Sequence, residues 1–236
     1  MKSKFFLTRI FIFFIAFFFS TSFAGNLLIQ NNYKVLTPQD APKDFVAPKG
    51  KILVMEFFSP GCPHCAHLES FIEKWQEQNK AFIFLGSTTS KIANNKQHLI
   101  FRKVPVTFEK DWNYYAQALY IAAKLGLSKS LDPEIFTVAQ NNFLGLHSDA
   151  QVRSFFITRG VSQAAFDRVV KDPTIQLDMQ SDQKLMHDFK IFAIPTVVVV
   201  RDGKFYMVSN ATVSHGDPQI FIDTLTSLTA KKLELS

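Results

Sequence analysis

Cysteine is the chain's most conspicuous shortage: 236 residues hold two, three positions apart, with no third to make a structural bridge. Closing so short a loop would add only a small entropic term, so the pair is no disulfide scaffold. Basic blocks are missing as well. The 26 Lys and Arg are scattered, and with 20 Asp and Glu the formal charge is +6, so nothing marks a nucleic-acid binder. There are no internal repeats, and no low-complexity segment outside the first 24 residues. The longest apolar run near the start, Ile10–Phe19, has ten residues. At 1.5 Å rise it spans about 15 Å, half of a hydrocarbon core.

That short run has a different use. Lys2, Lys4 and Arg9 precede it without an acid, and Ser22-Phe23-Ala24 follows as a small-x-small site. This is the layout of a cleaved export signal, with the cut expected after Ala24. Its loss removes three of the 26 basic residues and no acid, so the charge falls from +6 to +3. Nine of the 26 Phe leave too. About 210 residues remain, enough to bury a core as one domain or one domain with an insertion. The expected location is the periplasm, where disulfides form and persist.

The apolar pattern then sets out the fold. Tyr33–Leu36 reads as a short strand, and Lys51–Ser59 (KILVMEFFS) as a strand covered on both faces, with Glu56 its single charge. Pro63 opens a helix whose stripe is Leu68, Phe71, Ile72 and Trp75, ending at Asn79. Ala81–Leu85 is either an extra strand or a surface elaboration, and His98–Phe108 holds a core strand. From Asp111 the pattern is helical for about eighty residues, with starts at Asp132-Pro133, Ser148, Ser162 and Pro173. Strands return at Ile194–Val200 and Phe205–Val208 across Asp202-Gly203. A last helix is capped by Asp217, with Lys231 and Lys232 in its final turn. The expectation is an α/β thioredoxin fold with an inserted α-helical domain. Its parts are 1–24 signal, 25–110 first thioredoxin part, 111–186 helical insertion and 187–236 second thioredoxin part.

Both cysteines lie in Ser59-Pro60-Gly61-Cys62-Pro63-His64-Cys65, directly after the long strand. A strand running into Cys-x-x-Cys at a helix start is the layout of a thioredoxin-type redox site. Cys62 sits where the unsatisfied N–H groups and positive dipole end point, which favours a thiolate at an exposed helix start. His64 adds a donor or positive charge. Cys65, one turn further in, is expected to be buried and to act as the resolving thiol. A c-type haem site needs His directly after the second Cys, where residue 66 is Ala. Zinc needs a second ligand pair, and no other cysteine exists. An inert buried pair is the third alternative. No cofactor or metal is expected beyond the cysteine pair itself. His98, His147, His187 and His215 have no metal-ligand spacing and read as surface or capping residues, and His147-Ser148-Asp149 is no hydrolytic triad. Met186 is a core candidate.

The chain resembles the DsbA family of exported thiol:disulfide oxidoreductases. Val54-Met55-Glu56-Phe57-Phe58-Ser59 before Cys62-Pro63-His64-Cys65 carries the likeness, with the helical block and Ile194-Pro195 before a hydrophobic strand. Pro-His is the dipeptide of that family's strongly oxidising members, whereas Gly-Pro is usual in thioredoxins. A thiol pKa near 7 in thioredoxin against about 3.5 in DsbA corresponds to roughly 100 mV for a two-electron couple. The resemblance implies that Cys62 is the nucleophile, Cys65 its buried partner, and Pro195 a cis-proline with Ile194 facing substrate. It implies that Glu56 is a buried acid exchanging a proton with Cys65, and that Lys103 pairs with that acid. The main departure is about a dozen extra residues around 81–97, beside the surface where substrate and the reoxidising partner dock.

The function expected is a periplasmic dithiol oxidase acting on unfolded exported proteins, reoxidised by a quinone-linked membrane protein of the DsbB type. A disulfide isomerase or reductase on the same fold is the enzyme alternative. Those usually dimerise through an added N-terminal domain, and about 25 mature residues before Lys51 are too few for one, so a monomer is expected. A holdase using a hydrophobic groove is the non-enzymatic alternative.

Overall fold

The computed structural model describes residues 32–230, apart from 38, 43–44, 46–48, 87–94, 142–143 and 214–215. The expected leader, the middle of the 81–97 insertion, His215 and the Lys231-Lys232 pair lie outside the described residues.

The long apolar run becomes β2 (Ile52–Phe58), and all seven of its residues are buried. It pairs in parallel with β4 (Leu99–Pro105) and antiparallel with β5 (Thr196–Arg201). A strand with neighbours on both edges and cover on both faces has no polar side, which is why its sequence is nearly uniform. β6 (Lys204–Ser209) returns from β5 through Asp202 and Gly203, at φ 50° and 73°, the positive values a two-residue hairpin turn demands. β1 (Lys34–Val35) adds to β6. β3 (Phe82–Leu85) pairs in parallel with β4, so the undecided run is an edge strand. The sheet order is β1-β6-β5-β2-β4-β3.

Strand alternation divides the core. Ile52 and Val54 of β2, Leu99 and Phe101 of β4, and Val197 and Val199 of β5 face α1 (Pro63–Gln78) and the C-terminal helix α7 (Pro218–Thr229). Leu53, Met55, Phe57, Ile100 and Val104 face the other way, against Leu185 and Met186. Between β4 and β5 come α2 (Trp112–Leu125), α3 (Ser128–Ala139), α4 (Asp149–Ile157), α5 (Gln163–Val170) and α6 (Pro173–Asp188). Their apolar faces form a third cluster that includes Phe58, Cys62 and Cys65. Ser148, Ser162 and Asp217 cap their helices through the side chain, as expected, and Asp172 does the same before Pro173.

One boundary differs from the sequence reading. Asp132-Pro133 opens no helix: α3 starts at Ser128, and Pro133 lies exposed inside it. Leu131, Ile135, Phe136 and Val138 are all buried, and that stripe needs a turn begun before the proline. α7 is described to Thr229, with Ala230 its C-cap. Among the described residues no helix is long and apolar enough to cross a membrane.

Candidate active site

β2 delivers the chain to Ser59, and a tight turn carries it to Cys62, whose N–H donates to the Ser59 carbonyl at 3.0 Å. Gly61 is required here: a Cβ would sit 2.3 Å from Nε1 of Trp112, which covers the turn. Gln140 Nε2 donates to the Pro60 carbonyl at 2.5 Å, so the end of α3 also holds it. Cys62 is the N-cap of α1 and Pro63 its first residue. Pro63 and His64 are exposed, but Cys62 is not at an exposed helix start. It is 6% exposed and Cys65 1%: both lie in the apolar cluster built by α2–α6, and the loop before β5 comes up to Cys62. Cys62 Sγ lies 3.8 Å from the Ile194 carbonyl oxygen.

The two sulfurs are driven apart electrostatically. The Cys65 thiol donates to Cys62, backbone N–H groups of Cys65 and His64 point at it, and the His64 charge helps. Against the opposing effect of burial, these hold the Cys62 thiol down to about 6. Cys65 is pushed strongly up by burial, by donating its proton to Cys62 and by the charge on that sulfur.

Beneath the pair, on the α1 face, lie buried charges. Glu56 has neither carboxylate oxygen hydrogen-bonded. Burial first, then Glu69, raises it to about 8, with Lys103 opposing. Lys103 stands opposite Glu56 in the parallel register, yet its Nζ donates to Glu69 Oε1. The acid paired with Lys103 is therefore Glu69, not Glu56. The ammonium also lies 5.0 Å from the Phe58 ring centroid and 5.8 Å from that of Phe136. Glu69 Oε2 and Asp132 Oδ1 are buried without a partner. Asp132 is raised to about 7, by burial above all and by Glu69, with Lys103 opposing. Glu69 was detectable: it lies one helical turn after Cys65, as a charge in an otherwise apolar stripe. Asp132 was hidden by its assignment as a cap.

The other face of β4 carries a second ionic cluster. Arg102 Nη2 donates to Asp182 Oδ1 at 2.6 Å, and the Tyr120 hydroxyl donates to Asp182 Oδ2. Burial raises Asp182 to about 6, with Arg102 and Tyr120 opposing. The cluster ties β4 to α2 and α6.

Ile194–Pro195 is a cis peptide bond. Thr196 Oγ1 donates to the Ala193 carbonyl at 2.8 Å, fixing the loop, while Phe192 stands 85% exposed. An open groove of about 490 Å³ beside the helix start is lined by His64, His67, Asn210, Gly216, Asp217 and Pro218. His147 Nδ1 lies 3.0 Å from Asp111 and His98 Nδ1 3.0 Å from the Gly50 carbonyl, both at the surface. Among the described residues no group of three or more His, Cys, Asp or Glu is placed to hold a metal.

Known proteins with similar sequences and folds are numerous. The model of the DSBA-like thioredoxin domain family matches residues 53–215. The thiol:disulfide interchange protein DsbA of Burkholderia cepacia is 34% identical over 167 residues, 70% of this chain and 69% of that protein. The crystal structure of Pseudomonas aeruginosa DsbA superposes with a TM-score of 0.62 at 22% identity, covering 81% of this chain and 88% of the other. Proteus mirabilis DsbA, solved with a non-covalently bound peptide PWATCDS, has a TM-score of 0.60 at 22% identity, covering 84% and 94%. The chain belongs to the DsbA-like thioredoxin domain family, and it is a thiol:disulfide oxidoreductase of that family.

Proposed function

We propose that this oxidoreductase works as a dithiol oxidase in the periplasm, giving the Cys62–Cys65 disulfide to unfolded exported proteins. Reoxidation would come from a quinone-linked membrane protein of the DsbB type. The observation that carries the reading is the opposite treatment of the two sulfurs, Cys62 held down to about 6 and Cys65 held up. At pH 7 a thiol of that pKa is about 90% thiolate. Stabilising the reduced form in this way makes the disulfide a stronger oxidant.

The steps follow from that asymmetry. A client thiolate attacks Cys62 Sγ, the Cys62–Cys65 bond breaks, and Cys65 leaves. Its buried sulfur does not hold a charge, so it takes a proton. Glu56, protonated at neutral pH and buried near Cys65, supplies it. A second client thiolate then attacks the client sulfur of the mixed disulfide, and Cys62 departs as a stable thiolate. Two client thiols have become a disulfide, and the protein carries the two electrons. Ile194 and Pro195 would seat the client backbone against Cys62, and His64 would support its thiolate. The bound peptide PWATCDS in the Proteus mirabilis relative supports a cysteine-bearing segment as the occupant.

The test mixes oxidised protein with a reduced two-cysteine client and follows client disulfide formation. Rapid stoichiometric oxidation, lost in Cys62→Ser, is expected. Reshuffling of scrambled disulfides without oxidation of the reduced client would make it an isomerase. Rescue of client folding by Cys62→Ser would make it a holdase.

A further inference from the structure

Phe192 is 85% exposed, more than any other large apolar side chain among the described residues; Leu177 follows at 60% and Leu144 at 59%. It is not on a loose end. Ile191 before it is 3% exposed, with its N–H donating to the Met186 carbonyl at 3.0 Å. After it, the Ala193 carbonyl accepts from Thr196 Oγ1 at 2.8 Å. Ile194 packs against both neighbouring core clusters. The backbone on each side is pinned and the ring is held out into solvent.

Its position explains what such a ring is for. Two residues later, the Ile194 carbonyl is 3.8 Å from Cys62 Sγ. Two residues of chain span at most about 7 Å, so the Phe192 Cα lies no more than roughly 13 Å from the reacting sulfur, a gap that a client side chain and the ring together bridge. The groove beside His64 is lined by His67, Asn210 and Asp217 as well, so it offers a client mainly polar contacts. Phe192 is the most exposed large apolar side chain on the loop that reaches Cys62.

We propose that Phe192 is a specificity contact of the exchange site: it packs on an apolar side chain two residues from the client cysteine. This rests on the reading of the site as a donor of disulfides to unfolded chains. A segment undergoing exchange places its cysteine sulfur against Cys62. If it lies extended along the 192–195 loop, its side chains alternate, and those two apart share a face about 6.6–6.8 Å from each other. The residue beside the cysteine turns away, and the next but one meets the ring. The occupant is therefore an extended, cysteine-bearing segment with an apolar residue at that spacing, a pattern an unfolded core strand supplies. Partial burial of a phenylalanine ring against such a residue predicts a preference of about 5- to 20-fold.

Two dithiol peptides of identical composition test this with the oxidised full chain. One carries leucine two residues to either side of the cysteine that is attacked first; the other has those leucines moved next to it. The readout is the ratio of their kcat/KM values. A ratio of about 5–20 is expected, collapsing to about 1 in Phe192→Ser and retained in Leu177→Ser, an exposed leucine on α6. Fast, equal oxidation of both peptides overturns the proposal and leaves the oxidase reading intact. Oxidation of neither overturns both. A ratio that survives Phe192→Ser, or that also collapses in Leu177→Ser, removes the assignment to this ring. Self-association that disappears in Phe192→Ser while the ratio persists would make a second copy the occupant, and so also overturns it.

Discussion

β4 carries adjacent basic residues, Arg102 and Lys103, that point to opposite faces of the sheet and meet very different partners. On the α6 face, Arg102 and Tyr120 between them satisfy both oxygens of a fully buried Asp182. On the α1 face, Lys103 satisfies one oxygen of Glu69, while both oxygens of Glu56, the other of Glu69 and one of Asp132 have no partner. The first arrangement behaves as a latch, fixing α2 and α6 on the sheet. The second has more acids than its one lysine can neutralise, in a place where water does not screen them. Such a group answers by holding protons, as the raised values of Glu56 and Asp132 express. The paired Asp182 fixes structure, even though Arg102 Nε has no partner and burial lifts the acid to about 6. Glu56 and Asp132, with unpaired oxygens beside the redox pair, lie higher, at about 8 and 7, and store protons for it.

Substitutions should separate the two clusters by sign. The largest effect is expected on the latch. Asp182→Asn leaves Arg102 buried without its counter-charge and should cost about 3–5 kcal/mol in urea unfolding at pH 7. A loss below about 1 kcal/mol would show that α2 and α6 are held by apolar packing alone.

Glu56→Gln should act the other way. The folded protein raises this acid from 4.5 to about 8. The stability it contributes is fully present below pH 4.5 and is lost as pH rises through about 8. Removing the charge should therefore leave stability unchanged near pH 4 and increase it by on the order of 2–4 kcal/mol at pH 9. The same variant should slow client oxidation, since Cys65 loses its proton donor. Destabilisation at pH 9 would move Glu56 into the structural class. The smallest effect is expected for Tyr120→Phe, which leaves Asp182 Oδ2 unpaired and should cost about 1–2 kcal/mol. A fully neutral result would take the hydroxyl out of the latch.

Much of this was legible in the sequence, for identifiable reasons. β2, α1, the β5–β6 hairpin and the capped helices each carry a local signal: a uniform apolar run, a first-turn proline, Asp-Gly, or an acceptor at the cap. Cys62 and Cys65 stand out by residue type and local spacing, and Pro195 only through the family resemblance. What escaped depends on packing between distant segments. Lys103 was expected against Glu56, and the register does place them opposite each other. Its pair with Glu69 depends on how α1 lies across the strands, which no spacing in the sequence encodes. Asp132 looked like a cap because Asp-Pro is a common helix start. The buried stripe around it decided otherwise. The cover over Cys62 likewise comes from helices and a loop far along the chain.

The central claim is that the fold holds Cys62 as a thiolate at neutral pH while keeping Cys65 protonated. Thiolate absorbance of the reduced protein, followed from pH 4 to 10 with Cys65→Ala as a companion, tests it most directly. The depressed group contributes stability to the reduced form that is fully present above pH 9.0 and is lost as pH falls through about 6. The account predicts one thiolate titrating with a midpoint at or below about 6. In Cys65→Ala that midpoint should rise, because the side-chain donor to the Cys62 sulfur is removed. A midpoint near the ordinary cysteine value of about 8.5 would contradict the account, since nothing would then distinguish the disulfide from one that is kept.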